Sequence, residues 1–195
     1  MKTKGFVLVG GQSSRMGQDK ARLLFKSRFL VQDVLSKVIQ ITEDVALVGR
    51  PEAYVDLDVK CLADLRPGLG PLSGLETALA SSRRSFHEGL NLVVGCDMPD
   101  LQPRWLEQLL VTAQSTGALC VAAKDAAGKT HPLCAVYRTA CLASIQEGLD
   151  TRRLRLLELL AAVQAVEMPV DGVIVNVNTP EQWAIFLEKT LCQAT

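Results

Sequence analysis

The sequence predicts a three-layer α/β domain with a mostly parallel central sheet. Short apolar runs alternate with amphipathic helical patterns. Several of the runs are apolar nearly throughout, which suits strands buried on both faces by covering helices. No repeat, low-complexity segment or linker interrupts the 195 residues, so one domain over 1–195 is expected, with right-handed crossovers between parallel strands.

The elements follow in order. Phe6-Val7-Leu8-Val9 lies in a first strand, Gly5–Val9. Leu30, Val34, Val38 and Ile41 recur every three or four residues and predict a helix over 29–41. Val45–Val48 and Val59–Leu62 read as strands. Gly70-Pro71 opens a second helix, with Leu72, Leu75 and Leu79 along one face. Asn91–Gly95 is a strand, and Pro103 starts a helix carrying Leu106, Leu109 and Leu110. Strands Leu119–Ala123 and Leu133–Tyr137 flank a polar, hairpin-like run over 124–129. A helix over 153–163, strands Ala165–Met168 and Val173–Val177, and a helix over 180–191 complete the chain. Ligands of such sheets bind beyond the carboxyl ends of the strands. The loops after Val9, Leu62, Gly95 and Val177 are therefore the expected walls of a site.

Composition excludes several classes. The 21 Lys+Arg balance the 21 Asp+Glu, so no global basic field points to nucleic acid. No apolar run approaches the ~20 residues that span a bilayer. A hydrophilic Met-Lys-Thr-Lys leads straight into the first strand, without a signal peptide. The six cysteines lack CxxC or Cys/His metal spacing and read as small core residues. A reducing cytoplasm fits these features.

The segment after the first strand, Gly10-Gly11-Gln12-Ser13-Ser14-Arg15-Met16-Gly17-Gln18-Asp19-Lys20, concentrates glycine and positive charge. Glycines let a backbone turn tightly, and successive amides then form an anion-binding concavity. Arg15 and Lys20 add charge suited to phosphate oxygens, and a triphosphate is the natural guest. The loop is neither a Walker loop, which needs GxxxxGK[ST], nor a GxGxxG dinucleotide loop, because its first glycines are adjacent. Asp97 follows the apolar strand Asn91–Gly95 at the sheet rim, where a carboxylate can hold magnesium or cap a helix. Asp100 is the better placed cap for the helix at Pro103. If 174–178 is extended, Asn176 and Asn178 point to one side, toward a metal-bound water or a phosphate. Asn178 is also a candidate cap for the following helix. His131, one of two histidines, fits a structural, substrate-lining or acid/base role. Arg152, Arg153 and Arg155 read as a solvated helix face or a clamp for an anionic acceptor. No Ser or Cys nucleophile triad can be assembled.

The loop spacing resembles the signature of the molybdenum cofactor guanylyltransferase family. Gly70-Pro71-Leu72-Ser73-Gly74 resembles its GPLxG element, Cys96-Asp97-Met98-Pro99 its CDxP element, and Asn176-Val177-Asn178-Thr179-Pro180-Glu181 its NxNTPE element. His131-Pro132-Leu133 is similar to a further family loop, while 138–170 matches in general character only. The resemblance implies a Rossmann-like nucleotidyltransferase domain that uses GTP, Mg2+ and molybdenum–molybdopterin and releases pyrophosphate. It implies nucleotide binding by Leu8, Val9, Gly10, Gly11, Lys20, Asp64 and Asp97, metal binding by Asp97, and catalytic roles for Lys20, Arg15 and Asp97. Substrate contacts are implied for Asn176, Asn178 and His131, and transient contact with cofactor-supplying or molybdoenzyme partners is open.

Two departures bear on the base. Family members usually carry Ala where this chain has Val9, whose side chain either stays out of the pocket or crowds a purine. At the end of the second strand, where a family side chain such as Asn reads the nucleotide, stands Val48-Gly49-Arg50. The alternatives are a cytidylyltransferase acting on the same pterin, a sugar-phosphate nucleotidyltransferase, and an inactive nucleotide-binding domain.

Overall fold

The structure, a computed structural model, describes residues 1–9, 19–25 and 27–192. The chain runs β1 (Thr3–Leu8), a short turn of helix (Lys20–Arg22), a two-stranded ribbon of β2 (Leu24–Phe25) and β3 (Arg28–Phe29), then α1 (Leu30–Ile39). β4 (Val45–Gly49), β5 (Lys60–Ala63), α2 (Pro71–Ser85), β6 (Leu90–Gly95) and α3 (Pro103–Thr116) follow. β7 (Cys120–Lys124), β8 (Thr130–Arg138), α4 (Leu142–Asp150), α5 (Leu156–Ala162), β9 (Val166–Pro169) and α6 (Pro180–Cys192) complete it.

Seven strands form one sheet in the order β5-β4-β1-β6-β8-β7-β9. β5, β4, β1 and β6 are mutually parallel, and β9 is parallel to β7. β8 runs antiparallel to both β6 and β7, so the expected mostly parallel sheet contains one reversed strand. The polar run at 125–129 is the hairpin turn that makes this reversal possible.

Both faces of the sheet are covered, which is why its strands are apolar on both sides of the pleat. Val7 and Val9 join Val31, Val34, Leu106 and Leu109 in a core beneath α1 and α3. Phe6 and Leu8 join Leu72, Leu75, Ile145 and Leu160 in a second core beneath α2, α4 and α5. Alternation along β1 thus splits its side chains between two dry layers.

Three expectations are corrected. Residues 173–177 form no strand. The helix expected over 153–163 starts at Leu156, so Arg152, Arg153 and Arg155 precede it. Arg153 pairs with Glu147, and Arg152 has a positive φ of 58°, which places the run in a connecting turn and not on a solvated helix face. Helix α4 and the β2–β3 ribbon add to the elements that the sequence pattern predicts. Among the described residues no helix is long and apolar enough to cross a membrane.

Candidate active site

The carboxyl ends of β4, β1 and β6 lie side by side. The Val9 amide donates to the Val48 carbonyl at 2.9 Å, and the Cys96 amide donates to the Leu8 carbonyl at 3.1 Å. β4, the next strand of this sheet in sequence, flanks β1 on one side, and β6 flanks it on the other. This is a topological switch point, where open α/β sheets bind ligands.

Asp97 stands just past β6, half-buried. Desolvation raises its pKa, opposed first by the charge of Lys20 and then by hydrogen bonds from the backbone and Asn176. Gly95 makes room for it: a Cβ there would lie 2.7 Å from Asp97 Oδ1. The same oxygen accepts from Asn176 Nδ2 at 3.4 Å.

The segment carrying the two asparagines is held without a β ladder. The Val175 amide donates to both oxygens of Asp100 at 3.2 Å, and the Val177 amide donates to the Asp97 carbonyl at 2.9 Å. The Ile174 amide reaches Asp125 Oδ2 at 3.4 Å. Carboxylates and a carbonyl thus take the place of a neighbouring strand. Asp100 is therefore an acceptor for residue 175, and Gln102 occupies the cap of α3. Val177 is fully buried, while the side chains on either side of it reach the site, Asn176 to Asp97 and Asn178 to Lys20.

Asn178 does not cap α6 with its side chain. The Gln182 amide donates to Thr179 Oγ1 at 3.3 Å, and Gln182 Oε1 accepts from the Asn178 amide at 2.7 Å. That reciprocal cap leaves the Asn178 side chain free, and its Oδ1 accepts from Lys20 Nζ at 2.7 Å. Lys20 begins a short helical turn capped by Asp19, whose Oδ1 accepts from the Ala21 amide at 3.0 Å. The other Asp19 oxygen accepts from the Tyr54 hydroxyl at 2.7 Å. Neither Asp19 nor Tyr54 was singled out from the sequence. Asp19 was visible only as part of the loop motif, and Tyr54 lies in a connection with no periodic signal.

The remaining candidates sort by position. Leu8 is buried against α2, where a Cβ on Gly74 would lie 3.1 Å from Leu8 Cδ2. Val9 is 6% exposed and packs into the core beneath α1, so its side chain is turned inward, and its carbonyl oxygen lies 3.3 Å from the Tyr54 hydroxyl. Asp64 lies past β5, with its pKa raised by desolvation and its buried Oδ1 unpartnered among the described residues. His131 is 2% exposed, with Nε2 2.8 Å from Asp125 Oδ2. The pair braces the β7–β8 turn, which accords with the structural alternative for His131. Gly10, Gly11 and Arg15 lie outside the described residues.

The donor set suits a hard divalent cation. Asp97 supplies a carboxylate, and Asn176 Oδ1 is buried without a partner among the described residues. Those residues contain no cluster of three or more His, Cys, Asp or Glu fit to hold a metal. A cation here would draw most ligands from water and substrate phosphates, the mode that magnesium favours.

Residues 5–165 match the MobA-like NTP transferase domain. The chain belongs to this family. A molybdenum cofactor guanylyltransferase from Xanthomonas euvesicatoria pv. vesicatoria is 34% identical over 187 residues, covering 92% of each chain. The crystal structure of molybdopterin-guanine dinucleotide biosynthesis protein A from Archaeoglobus fulgidus superposes with a TM-score of 0.77 at 22% identity, over 98% of this chain and 100% of its own. A Mycobacterium tuberculosis protein crystallised in complex with manganese superposes with a TM-score of 0.70 at 18% identity, over 96% of this chain and 99% of its own. At these identities the two structures speak for a shared fold. As a member of the MobA-like family, the protein is a nucleotidyltransferase.

Proposed function

We propose that the protein transfers GMP from GTP to a molybdenum–molybdopterin cofactor, giving the guanine dinucleotide form and pyrophosphate. The observation that carries the proposal is the convergence of Lys20, Asn178, Asn176 and Asp97 at the β1/β6 switch point. The guanylyltransferase relative supports the choice of base and acceptor.

In this reading the acceptor phosphate attacks the α-phosphorus in line. A new P–O bond forms, the bond to the β-phosphate bridge breaks, and pyrophosphate carries the electron pair away. The chain supplies position and charge, and no covalent intermediate is needed. Lys20 bears the growing phosphate charge, and its described hydrogen-bond partner is a neutral amide, so its charge stays available. Arg15 and the amides of Gly10 and Gly11 share that task by the family resemblance. Mg2+, held by Asp97 with Asn176 beside it, would neutralise phosphate charge when bound. The half-dry setting of Asp97 strengthens each of these attractions. Val9, turned into the core, leaves only backbone toward the base, which supports room for a purine. Five described cysteines are free, in keeping with a cytoplasmic setting.

The test is pyrophosphate release with GTP and CTP under the same Mg2+ and acceptor conditions. Expected is a preference for GTP in kcat/KM of about 10²-fold or more, since cytosine leaves guanine-bonding groups unpaired. If CTP wins, a cytidylyltransferase replaces this reading.

A further inference from the structure

Tyr54 lies in the connection between β4 and β5, directly after a short helical turn at Pro51–Ala53. It is 1% exposed, and its ring belongs to the core beneath α1. A buried phenol needs a partner for its hydroxyl, and many carbonyls would serve. Here the hydroxyl meets the Asp19 carboxylate at 2.7 Å and the Val9 carbonyl at 3.3 Å. A phenol has one proton, and the shorter, charge-assisted bond to Asp19 takes it.

The bond has a consequence one residue further on. Asp19 Oδ1 caps the turn through the Ala21 amide, and Lys20 lies between the two. The far end of the same turn is tied to the same connection. Arg22 Nη2 donates to the Ala53 carbonyl at 2.6 Å, its guanidinium pairs with Asp56, and it stacks 5.3 Å from the Tyr54 ring centroid. The short segment 53–56 is thus a platform for both ends of the turn that presents Lys20.

We propose that Tyr54 is a positioning residue for Lys20: its hydroxyl orients the Asp19 carboxylate, which fixes the turn that aims the ammonium into the cleft. The proposal rests on the reading of Lys20 as a phosphate-binding group. Burial and the neighbouring Asp19 carboxylate raise the pKa of the phenol well above its ordinary value, so the hydroxyl remains a donor across neutral pH.

The experiment is Tyr54→Phe, which keeps the ring and deletes the hydroxyl, with Tyr137→Phe as a control. Tyr137 is also buried, and its hydroxyl bonds the Pro132 carbonyl at 2.8 Å. Hydrogen exchange at the Ala21 and Arg22 amides reads the turn without reference to any reaction. It should quicken in Tyr54→Phe, stay unchanged in Tyr137→Phe, and leave β1 and β4 protected in both. Unchanged exchange at Ala21 overturns the proposal. Turnover with the nucleotide that the wild type uses best should fall about 10-fold in Tyr54→Phe, the scale of a small misplacement of a catalytic group. A double-mutant cycle with Lys20→Ala decides the route: Tyr54→Phe should cost nothing further once Lys20 is gone. Additive losses overturn the proposal. A wild type inactive with every nucleotide overturns the functional reading instead, and the exchange measurement still decides the Tyr54 link.

Discussion

Lys20 and Asn178 are 158 positions apart in sequence, yet Lys20 Nζ donates to Asn178 Oδ1 at 2.7 Å. The contact joins the turn that begins at Lys20 to the segment just before α6. It also holds a lysine by a neutral amide, without cancelling its charge.

Lys20→Ala should therefore lower kcat/KM by about 100-fold or more, the scale for losing one electrostatic contact to the transition state. Arg22→Ala is the informative contrast. Arg22 is spent on Asp56, the Ala53 carbonyl and the rings of Phe29 and Tyr54. Its loss should lower the melting temperature by roughly 3 °C and reduce turnover less than Lys20→Ala does. Steady-state kinetics and thermal melts on both variants check this. Equal kinetic losses would remove the special role of Lys20.

Asp97→Asn should separate stability from activity. Desolvation holds the folded-state pKa of Asp97 above its unfolded value. The fold therefore favours the protonated form, and stability falls as pH rises from the unfolded value, about 3.9, through the folded one. At pH 7 the wild type carries that penalty and the Asn variant does not. Urea midpoints should be higher for Asp97→Asn at pH 7, and the gain should vanish as pH falls through the carboxylate range. Turnover should drop by about 100-fold or more, and added Mg2+ should raise the melting temperature of the wild type only. A destabilised variant at pH 7 would contradict the sign.

Gly95→Ala probes the same carboxylate from below. The added methyl would lie 2.7 Å from Asp97 Oδ1 and at an ordinary 3.6 Å from Leu133. The carboxylate can swing away, so the fold should survive while Asp97 leaves its place beside Asn176. Turnover should fall about 10-fold, with little change in the urea midpoint. Normal turnover would show that the carboxylate does not need this position.

The legible parts of the molecule were those whose physics is local. Runs such as Leu92-Val93-Val94 announce a strand covered on both faces, and the spacing of Asn176 and Asn178 about the buried Val177 matches their contacts with Asp97 and Lys20. Partners distant in sequence were not legible. Nothing near Asp100 says that its carboxylate will receive the amide of Val175, so 173–177 reads as a strand when its amides go to aspartates. Tyr54 has no signal at all, since a lone aromatic in a connection reads as core. The β2–β3 ribbon has two residues in each strand, too few for a pattern. Helix α4 has nine residues with Gly148 inside, where a Cβ would lie 3.2 Å from the Arg153 carbonyl oxygen and 3.3 Å from Leu72 Cδ2; close packing against the following turn and α2 is a tertiary reason for a residue that weakens a helix.

Asp100 holds the residue before Asn176, through the Val175 amide. Asp100→Ala leaves the partly buried Val175 amide without its acceptor, at a cost of about 1–3 kcal/mol, and frees the residue before Asn176. Asp100→Asn keeps an oxygen that can accept from the same amide. It also removes a charge that burial disfavours, since desolvation raises the pKa of Asp100. The Ala variant should therefore lose both stability and turnover, with turnover per folded molecule down about 10-fold. The Asn variant should keep wild-type turnover and be no less stable at pH 7. Urea denaturation gives the folded fraction, and pyrophosphate release normalised to it gives the catalytic effect. If Asp100→Ala retains full turnover per folded molecule, the carboxylate braces the fold alone and Asn176 is positioned by the Val177 amide on the Asp97 carbonyl.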